Sequence, residues 1–423
     1  MQITKRGSAL LRTGAGALLA ASALTAAQAQ QTLTVAAYPA VDAIVKSAIP
    51  AFKAKHPNVD IQVVSRQFAD HHTAMTTALA TSSHLPDVMV LEVGYVGRFA
   101  QGGGLEDLTG PAYGVQKFKS RFVPYAYDQA TSRGGAVVAV PSDIGPGTLL
   151  YRADILAKAG VDPAQMTKSW DSFVAAGVTI KAKTGAYLMA NARNIKDIVI
   201  RTGIEPGAGI YFDAKGKPDV TSPRFLRAFE LARRVRQQGL DGKINDWSNE
   251  WGEGFKRGTL ASEMTGAWLA GHLSTWLAPN TKGLWRAAQL PEGSWAAYGG
   301  SFYAIPKAAN PANKAMAWEL IKMMTLDRSV QINAFKTQDA FPALLETYDD
   351  PFFDKPIEFL GGQKARLIWR EAARHIKAVT VNELDPFAEE VVNTELDKVL
   401  DQGKDPAAAL ADAQRLLEHR VRR

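Results

Sequence analysis

The stretch Asp87-Val-Met-Val-Leu91 follows Pro86 and contains the uninterrupted apolar run Val88–Leu91. Its length and its valine content are typical of a strand that is buried on both faces. A helical pattern, His71–Ser82, precedes it. Fully buried strands separated by helices predict a mostly parallel sheet with helices on both sides, which is the arrangement of α/β proteins.

The same alternation of strands and helices continues in both directions from this run. Leu33, Val35 and Ala37 alternate as in a strand, which we place over Thr32–Tyr38. The other predicted elements are a helix over Asp42–Lys55, strands over Val59–Val63 and Val137–Pro141, and helices over Arg224–Gln238, Ala312–Thr325 and the C-terminal segment. A chain of 423 residues exceeds what one hydrophobic core usually supports, so we expect two domains.

The N-terminus has the three parts of a secretory signal peptide. They are the basic residues Lys5, Arg6 and Arg12, the apolar stretch Ala15–Ala27 and the cleavage site Ala27-Gln28-Ala29. A membrane anchor is the weaker alternative, because the apolar stretch is shorter than the ~20 residues that span a bilayer. We therefore predict that residues 1–29 are removed on export.

The chain contains no cysteine, which excludes disulfides, thiolate metal sites and a cysteine nucleophile. It also excludes a lipid-modified cysteine after the signal peptide, so the mature protein should diffuse freely. A freely diffusing exported protein is retained only in a closed compartment, and we therefore expect a periplasmic location in a Gram-negative source. No sequence feature calls for a cofactor.

The charge pattern does not indicate a nucleic-acid partner, although the formal net charge is +7. The basic clusters Arg233–Arg236 and Arg420–Arg423 lie at the ends of helical patterns. A nucleic-acid footprint would be a dense basic stripe interleaved with aromatic residues. Metal binding is not expected either, because the adjacent His71 and His72 point apart on a helix and no third ligand has the required spacing.

Four stretches, in this order and spacing, resemble the extracellular solute-binding proteins of ATP-driven sugar importers, the family that includes maltodextrin-binding protein. They are Leu85–Leu91 with Phe99–Leu108, Val140–Gly160 with Ser169–Phe173, Phe255–Gly258 with Met264 and Trp268, and Leu290–Gly293 with Gly299–Lys307. The second is the most specific, since Pro141-Ser-Asp143-Ile-Gly-Pro-Gly147 resembles the family pattern P-x-D-x-G-P. Arg152 stands where members usually have Asn, which leaves the subfamily open.

The resemblance implies a two-lobed periplasmic-binding-protein fold, each lobe a mostly parallel sheet flanked by helices. We predict lobe 1 from residues 30–141 and 302–326, and lobe 2 from residues 144–299 and 330–423. Three hinge crossings are expected near Pro141–Gly147, Tyr298–Phe302 and Leu326–Val330. The implied partners are a sugar held between the lobes and the membrane permease subunits of an importer, and we expect a monomer.

Two residues are the first candidates for contact with a sugar, which offers hydroxyls and apolar C–H faces. Asp143 follows a predicted strand at the first crossing and supplies a charged acceptor, although an Asp before the Gly145-Pro146-Gly147 turn also serves as a turn cap. Trp268 lies in the third motif and supplies a flat apolar face. Six of the nine tryptophans fall between residues 247 and 295. Among these, stacking and packing are equally open for Trp247 and Trp251, and packing is predicted for Trp276, Trp285 and Trp295.

The other candidates follow predicted strands or lie at a crossing. Ligands of open α/β sheets bind beyond the carboxyl ends of the strands, and at the second crossing Gly lets a backbone approach closely. These candidates are Tyr38, Arg66, Gln67, Glu92, Tyr95, Asn191, Arg193, Gly300 and Ser301. For each of them an ordinary polar loop or a hinge role without ligand contact is the alternative.

Two other classes of function remain open at this point. A glycoside-acting enzyme is disfavoured because there is no Gly-x-Ser-x-Gly elbow, P-loop or dinucleotide fingerprint, and no catalytic residue is predicted. Glu389-Glu390 lies in a helical pattern typical of a solvated face. A binding protein for another solute would need several cleft carboxylates for a polyamine or several Arg for an anion. A polyol is not distinguishable from a sugar by these residues.

Overall fold

The computed structural model describes residues 30–132 and 134–422. The strands are β1 (Gln31–Ala37), β2 (Val59–Ser65), β3 (Val88–Glu92), β4 (Val140–Arg152), β5 (Ser262–Gly266), β6 (Trp285–Ala288) and β7 (Ala297–Ala304). The helices are α1 (Val41–Lys55), α2 (Phe68–Thr81), α3 (Val93–Gln101), α4 (Pro124–Gln129), α5 (Ala153–Ala159), α6 (Pro163–Met166), α7 (Trp170–Thr184), α8 (Ala192–Val199), α9 (Pro223–Gln237), α10 (Asn249–Arg257), α11 (Leu269–His272), α12 (Lys314–Leu326), α13 (Arg328–Gln338), α14 (Ala365–His375), α15 (Asp385–Gln402) and α16 (Pro406–Val421). The predicted signal peptide lies outside the described residues.

The sheet of lobe 1 is centred on the apolar run Val88–Leu91. Strand β3 has Val88, Met89, Val90 and Leu91 fully buried, as a strand covered on both faces requires. The strand order is β2-β1-β3-β7-β4-β5, with β6 paired to β4. The β1–β2 and β1–β3 pairs are parallel, so the α/β prediction is confirmed for this part of the chain.

The sheet of lobe 2 differs from the predicted mostly parallel arrangement. Strand β4 pairs antiparallel with β5 and with β6. Parallel pairing in this lobe is limited, among the described residues, to isolated bridges such as Tyr187↔Leu260 and Met189↔Asp241. The reason is that β4 enters from lobe 1 and continues into lobe 2, so its direction is fixed by the first lobe and not by a crossover helix.

Two hinge crossings are strands that pass from one lobe to the other. Strand β4 runs unbroken through Gly145-Pro146-Gly147, where the sequence predicted a turn, and it pairs antiparallel with β7 along the hinge. A Cβ on Gly145 would lie 1.8 Å from the carbonyl oxygen of Tyr298. Gly145 is therefore required for the close approach of the two crossing strands.

The segment predicted as the third crossing, Leu326–Val330, lies between two helices. That segment joins α12 to α13, and Asp327 caps α13 by accepting from the Ser329 and Val330 amides. Helix α13 packs on α1 and α12 of lobe 1, although the predicted division assigned it to lobe 2. The local pattern of an amphipathic helix reports that one face is buried but not which lobe buries it.

The second sequence motif forms a well-capped helix in lobe 2. Ser169 is the N-cap of α7, and its hydroxyl accepts from the Ser172 amide at 2.9 Å. Trp170, the first residue of the helix, is 1 % exposed and belongs to the core of lobe 2. Searched over residues 30–132 and 134–422, no helix is long and apolar enough to cross a membrane.

Candidate ligand-binding site

Ser301 on strand β7 lies between two acidic side chains from neighbouring strands. It is the cross-strand partner of Glu92 on β3 and of Asp143 on β4. The hydroxyl of Tyr38 donates to Ser301 Oγ at 2.8 Å, and Ser301 in turn hydrogen-bonds Asp143 through its side chain and its backbone. Four of the predicted site residues thus meet where the two crossing strands pair.

Burial changes the protonation of both carboxyl groups. It raises the pKa of Asp143 to about 6, although the hydrogen bonds from Ser301 act in the opposite direction. It also raises the pKa of Glu92 to about 7, opposed by the hydrogen bond from the Gly94 amide. That amide donates to Glu92 Oε2 at 2.7 Å, so Glu92 is at the same time the N-cap of α3.

Gly299 and Gly300 lie in the second crossing, with φ angles of 86° and 138°. A Cβ on Gly300 would lie 2.9 Å from the backbone oxygen of Asp143. A Cβ on Gly299 would lie 3.1 Å from Trp268 Nε1 and 3.9 Å from Glu92 Oε1. These glycines allow the tryptophan and the acidic pair to approach the same point of the hinge.

Trp268 faces this point from lobe 2. Its Nε1 donates to the carbonyl oxygen of Tyr298 at 2.9 Å, which fixes the indole relative to the crossing strand. Trp247 stacks on it with a centroid separation of 5.6 Å and an interplanar angle of 17°. Trp247 is 59 % exposed and has φ of 65°, a conformation that is rare for a bulky residue and that is often found at binding sites.

Trp251 is buried behind the Trp247–Trp268 pair and contacts Trp247 at 5.3 Å. Its Nε1 donates to Glu263 Oε2 at 3.3 Å, and Asn194 Nδ2 donates to Glu263 Oε1 at 2.8 Å. Glu263, 1 % exposed, therefore anchors the buried tryptophan that supports the pair. Sequence reasoning missed Glu263, because the mostly polar sequence of β5, Ser-Glu-Met-Thr-Gly, gives no sign that the whole strand is buried.

A second aromatic surface lies on lobe 1. Tyr95 stacks on His72 at 3.9 Å between ring centroids, and His72 contacts Phe68 at 4.6 Å. Phe68 also contacts Tyr38 at 5.3 Å. Phe68 is 43 % exposed and was not among the predicted residues, although it directly follows the candidate Gln67.

The tautomer of His72 is set by its hydrogen bonds and its neutral state by burial. Its Nδ1 bonds the carbonyl oxygen of Phe68 at 2.8 Å and must donate, so Nε2 is left to accept from the Glu92 amide at 3.1 Å. Burial lowers the pKa of His72 to about 4, which keeps the ring neutral. Both nitrogens are used within the protein. In the part of the chain that the structure describes, no group of His, Cys, Asp or Glu is arranged to hold a metal ion.

Four predicted residues lie apart from this hinge cluster or have other partners. Arg66 and Gln67 are exposed at the junction of β2 and α2. Asn191 is the N-cap of α8, accepting from the Arg193 amide and donating to the Ile244 carbonyl oxygen. Arg193 pairs with Asp397 on α15. A contact of these residues with a ligand stays a prediction.

Arg201 and Glu389 reach the acidic cluster from lobe 2 and were both missed. The Arg201 guanidinium lies over the Tyr298 ring at 4.6 Å, and its Nη1 donates to the Asp197 carbonyl oxygen at 2.6 Å. The charge on Arg201 lowers the pKa of Glu92 and the charge on Glu389 raises it. Neither residue follows a strand, which is the signal that selected the other candidates.

The two lobes meet beside this hinge cluster. A Cβ on Gly97 of α3 would lie 2.7 Å from the Val381 Cβ, just before α15. Residues from both lobes and from two crossing strands thus converge at the hinge, where flat apolar faces meet hydrogen-bonding groups. A two-lobed α/β protein with such a set of residues at its hinge belongs to the class that holds a small solute between closing lobes.

The comparison with known proteins identifies the family. The chain belongs to the bacterial extracellular solute-binding proteins, whose family model matches residues 47–360. It is 30 % identical over 430 residues to the lactose-binding protein of Rhizobium radiobacter, a match that covers 95 % of this chain and 98 % of that protein.

Solved structures have the same fold. The crystal structure of a family 1 extracellular solute-binding protein superposes with a TM-score of 0.80 at 23 % identity, covering 92 % of this chain and 99 % of that one. The transporter-associated binding protein of B. animalis subsp. lactis Bl-04, in complex with β-1,6-galactobiose, superposes with a TM-score of 0.75 at 23 % identity, covering 92 % and 96 % of the two chains.

Proposed function

We propose that this protein binds a neutral sugar between its lobes and delivers it to the permease of an ATP-driven importer. The observation that carries the proposal is the convergence, at the paired crossing strands, of the Trp268 indole with the Tyr38–Ser301–Asp143 hydrogen-bond chain. The names of relatives agree with this class of ligand, since they are the binding proteins for lactose and for arabinooligosaccharides.

The chemistry of the crevice suits a neutral polyhydroxyl compound. Indole and phenol rings cover the apolar C–H faces of a sugar ring, while carboxyl, hydroxyl and guanidinium groups pair with its hydroxyls. Arg201 offsets part of the negative charge of Glu92. One guanidinium beside two carboxyls is neither the carboxylate cluster that a polyamine needs nor the arginine cluster that an anion needs. A buried hydroxyl without a partner costs about 1–3 kcal/mol, so the arrangement of these groups selects among epimers.

Closure of the lobes couples binding to delivery. Tyr38 and Tyr95 belong to lobe 1, whereas Trp268 and Arg201 belong to lobe 2, so only the closed form offers both sets of contacts. A ligand therefore shifts the population towards the closed form by its extra contacts there. The permease then recognises the closed surface, and we place the protein in the periplasm after removal of residues 1–29.

A ligand screen tests the sugar proposal. Monosaccharides, oligosaccharides and polyols at millimolar concentration are added to the mature protein, and the melting temperature is measured. A true ligand stabilises the fold by RT ln(1 + [L]/Kd), which reaches about 2.7 kcal/mol at a hundredfold excess over Kd. Failure of every carbohydrate to raise the melting temperature contradicts the proposal, and a shift with polyols alone redirects it to that class.

The same preparation tests whether the protein is an enzyme. Glycosidases also use a pair of neighbouring acidic residues, one as a general acid and the other as a base or nucleophile. We expect stoichiometric binding and intact ligand after prolonged incubation with the glycosides that stabilise the fold. Release of a free sugar at a rate abolished by Glu92→Gln would instead establish catalysis.

The pH dependence of binding is a further prediction. Asp143 accepts sugar hydroxyls best as a carboxylate, and burial raises its pKa to about 6 in the free protein. We therefore expect the affinity of the sugar to fall as the pH is lowered from about 7.5 to about 5, measured by isothermal titration calorimetry. Asp143→Asn should bind more weakly at neutral pH and lose most of this dependence. An unchanged pH profile in Asp143→Asn would assign the effect to another group, with Glu92→Gln as the matched variant.

A further inference from the structure

The helix that follows Trp268 has aromatic side chains along one side. Trp268, His272 and Trp276 are spaced by four residues, and their rings follow each other at 5.5 Å and 5.7 Å between centroids. Trp247 lies beside His272 at 5.8 Å. We call Trp268, His272, Trp276 and Trp247 the aromatic ladder. A π-helical turn, Leu273–Leu277, carries its outer end, and such turns are often found at functional sites.

The outer end of the ladder is exposed and yet held in place. Trp247 and Trp276 are 59 % and 54 % exposed, the largest fractions for large apolar side chains among the described residues. The prediction that Trp276 packs in the core is therefore wrong, whereas Trp285 is fully buried as expected. Trp276 Nε1 donates to His272 Nδ1 at 3.0 Å, which orients an indole that has few other contacts to restrain it.

His272 adds a polar group to this surface. Burial lowers its pKa, so the ring is neutral near pH 7. Since Nδ1 accepts from Trp276, the proton of the neutral ring is on Nε2, which is then a donor. The ladder therefore combines flat apolar faces with a hydrogen-bond donor between them, which matches a sugar ring better than the purely apolar surface of a packed helix.

The ladder is continuous with the hinge crevice. It begins at Trp268, which is bonded to Tyr298 of the crossing strand. Its helix α11 also faces the other lobe, because a Cβ on Gly271 would lie 2.4 Å from Asp339 Oδ2 at the end of α13. The exposed indoles thus extend outward from the mouth of the crevice between the lobes.

We propose that Trp276, together with His272 and Trp247, forms an outer subsite for a second sugar ring, so that the ligand is a disaccharide or longer. The inference rests on the proposed function, because it takes the first ring to lie against Trp268. The hydrogen bond to His272 already restrains the Trp276 side chain. Less conformational entropy is therefore lost when a ligand binds against this indole.

The experiment compares Trp276→Ala with the wild type on matched ligands of two lengths. Affinities are measured by calorimetry for lactose, β-1,6-galactobiose and arabinobiose, and for the monosaccharides galactose and arabinose. We expect the wild type to bind at least one disaccharide more tightly than its monosaccharide. Trp276→Ala should lose about tenfold in affinity for that disaccharide, the size of one aromatic contact, while the affinity for the monosaccharide is retained.

Two further variants make the outcome specific. Trp295 stacks on His375 and is not part of the ladder, so Trp295→Ala should leave both affinities unchanged. Trp276→Phe keeps a ring and should recover part of the lost disaccharide affinity, and it carries the test if Trp276→Ala does not fold.

The possible failures are distinguishable. Equal loss of monosaccharide and disaccharide affinity in Trp276→Ala, or no loss of either, overturns the outer subsite while sugar binding itself stands. Binding of none of the five sugars by the wild type contradicts the proposed function and the outer subsite together. Undiminished disaccharide binding with loss of permease stimulation in Trp276→Ala would reassign the ladder to a protein partner.

Discussion

Replacing Trp268 by alanine should weaken sugar binding by about 2 kcal/mol, which is roughly thirtyfold in Kd. The indole is fixed to a crossing strand through Tyr298 and is also stacked on a neighbour, Trp247. Its removal takes away the apolar face and leaves room for water beside the acidic pair. Calorimetry on the ligand found in the sugar screen measures the change.

A second substitution at the same place tests the position of the ring without removing it. A Cβ on Gly266 would lie 2.2 Å from Trp268 Nε1 and 2.5 Å from the Tyr298 carbonyl oxygen. Gly266→Ala should therefore displace the indole and weaken binding in the same direction as Trp268→Ala. Trp295→Ala is the control for the loss of a partly buried tryptophan elsewhere. Near-native affinity in both Trp268→Ala and Gly266→Ala would refute the assignment of the sugar to this indole, while the fold would stand.

Replacing Glu263 should have the largest effect on stability. In Glu263→Ala the buried Trp251 Nε1 and Asn194 Nδ2 lose an acceptor, and each unpaired group costs about 1–3 kcal/mol. We expect a loss of about 2–4 kcal/mol in the free energy of unfolding, measured with urea. Sugar affinity should fall as well, since Trp251 supports Trp247. Glu263→Gln keeps an acceptor oxygen and should retain most of the stability and most of the sugar affinity.

The pH dependence of stability separates the charge of Glu263 from its hydrogen bonds. Burial, together with the charge on Asp246, raises the pKa of Glu263 from 4.5 to about 8. The folded state holds this proton more tightly than the unfolded state. Protonated Glu263 therefore contributes fully to the free energy of unfolding below about pH 4.5, and this contribution is lost as the pH rises towards 8. Glu263→Gln should therefore gain stability relative to the wild type between these values. A parallel pH profile for the two proteins would show that folding does not shift the pKa of Glu263.

Sequence patterns determined the fold class and selected several residues of the candidate site. The run Val88–Leu91 is apolar at every position because both faces of β3 are covered, and a residue directly after such a strand must lie at the edge of the sheet. This reasoning selected Glu92, and it selected Tyr38 after β1. The resemblance to a known family added Asp143 and Trp268, whose surroundings the structure then supplied.

Only the tertiary structure decided which groups face the crevice from the other lobe. Arg201 and Glu389 follow no strand, Glu263 is a carboxylate within a buried strand of mostly polar residues, and Trp276 is exposed although packing was predicted for it. The packing of α13 on α1 and α12 was also decided there. A periodic pattern indicates which face of a helix or strand is buried. It does not indicate the partner, because the hydrophobic effect is non-directional. It carries no record of which distant segment lies opposite, and in this protein Tyr38 and Ser301, which share a hydrogen bond at the hinge, are 263 residues apart.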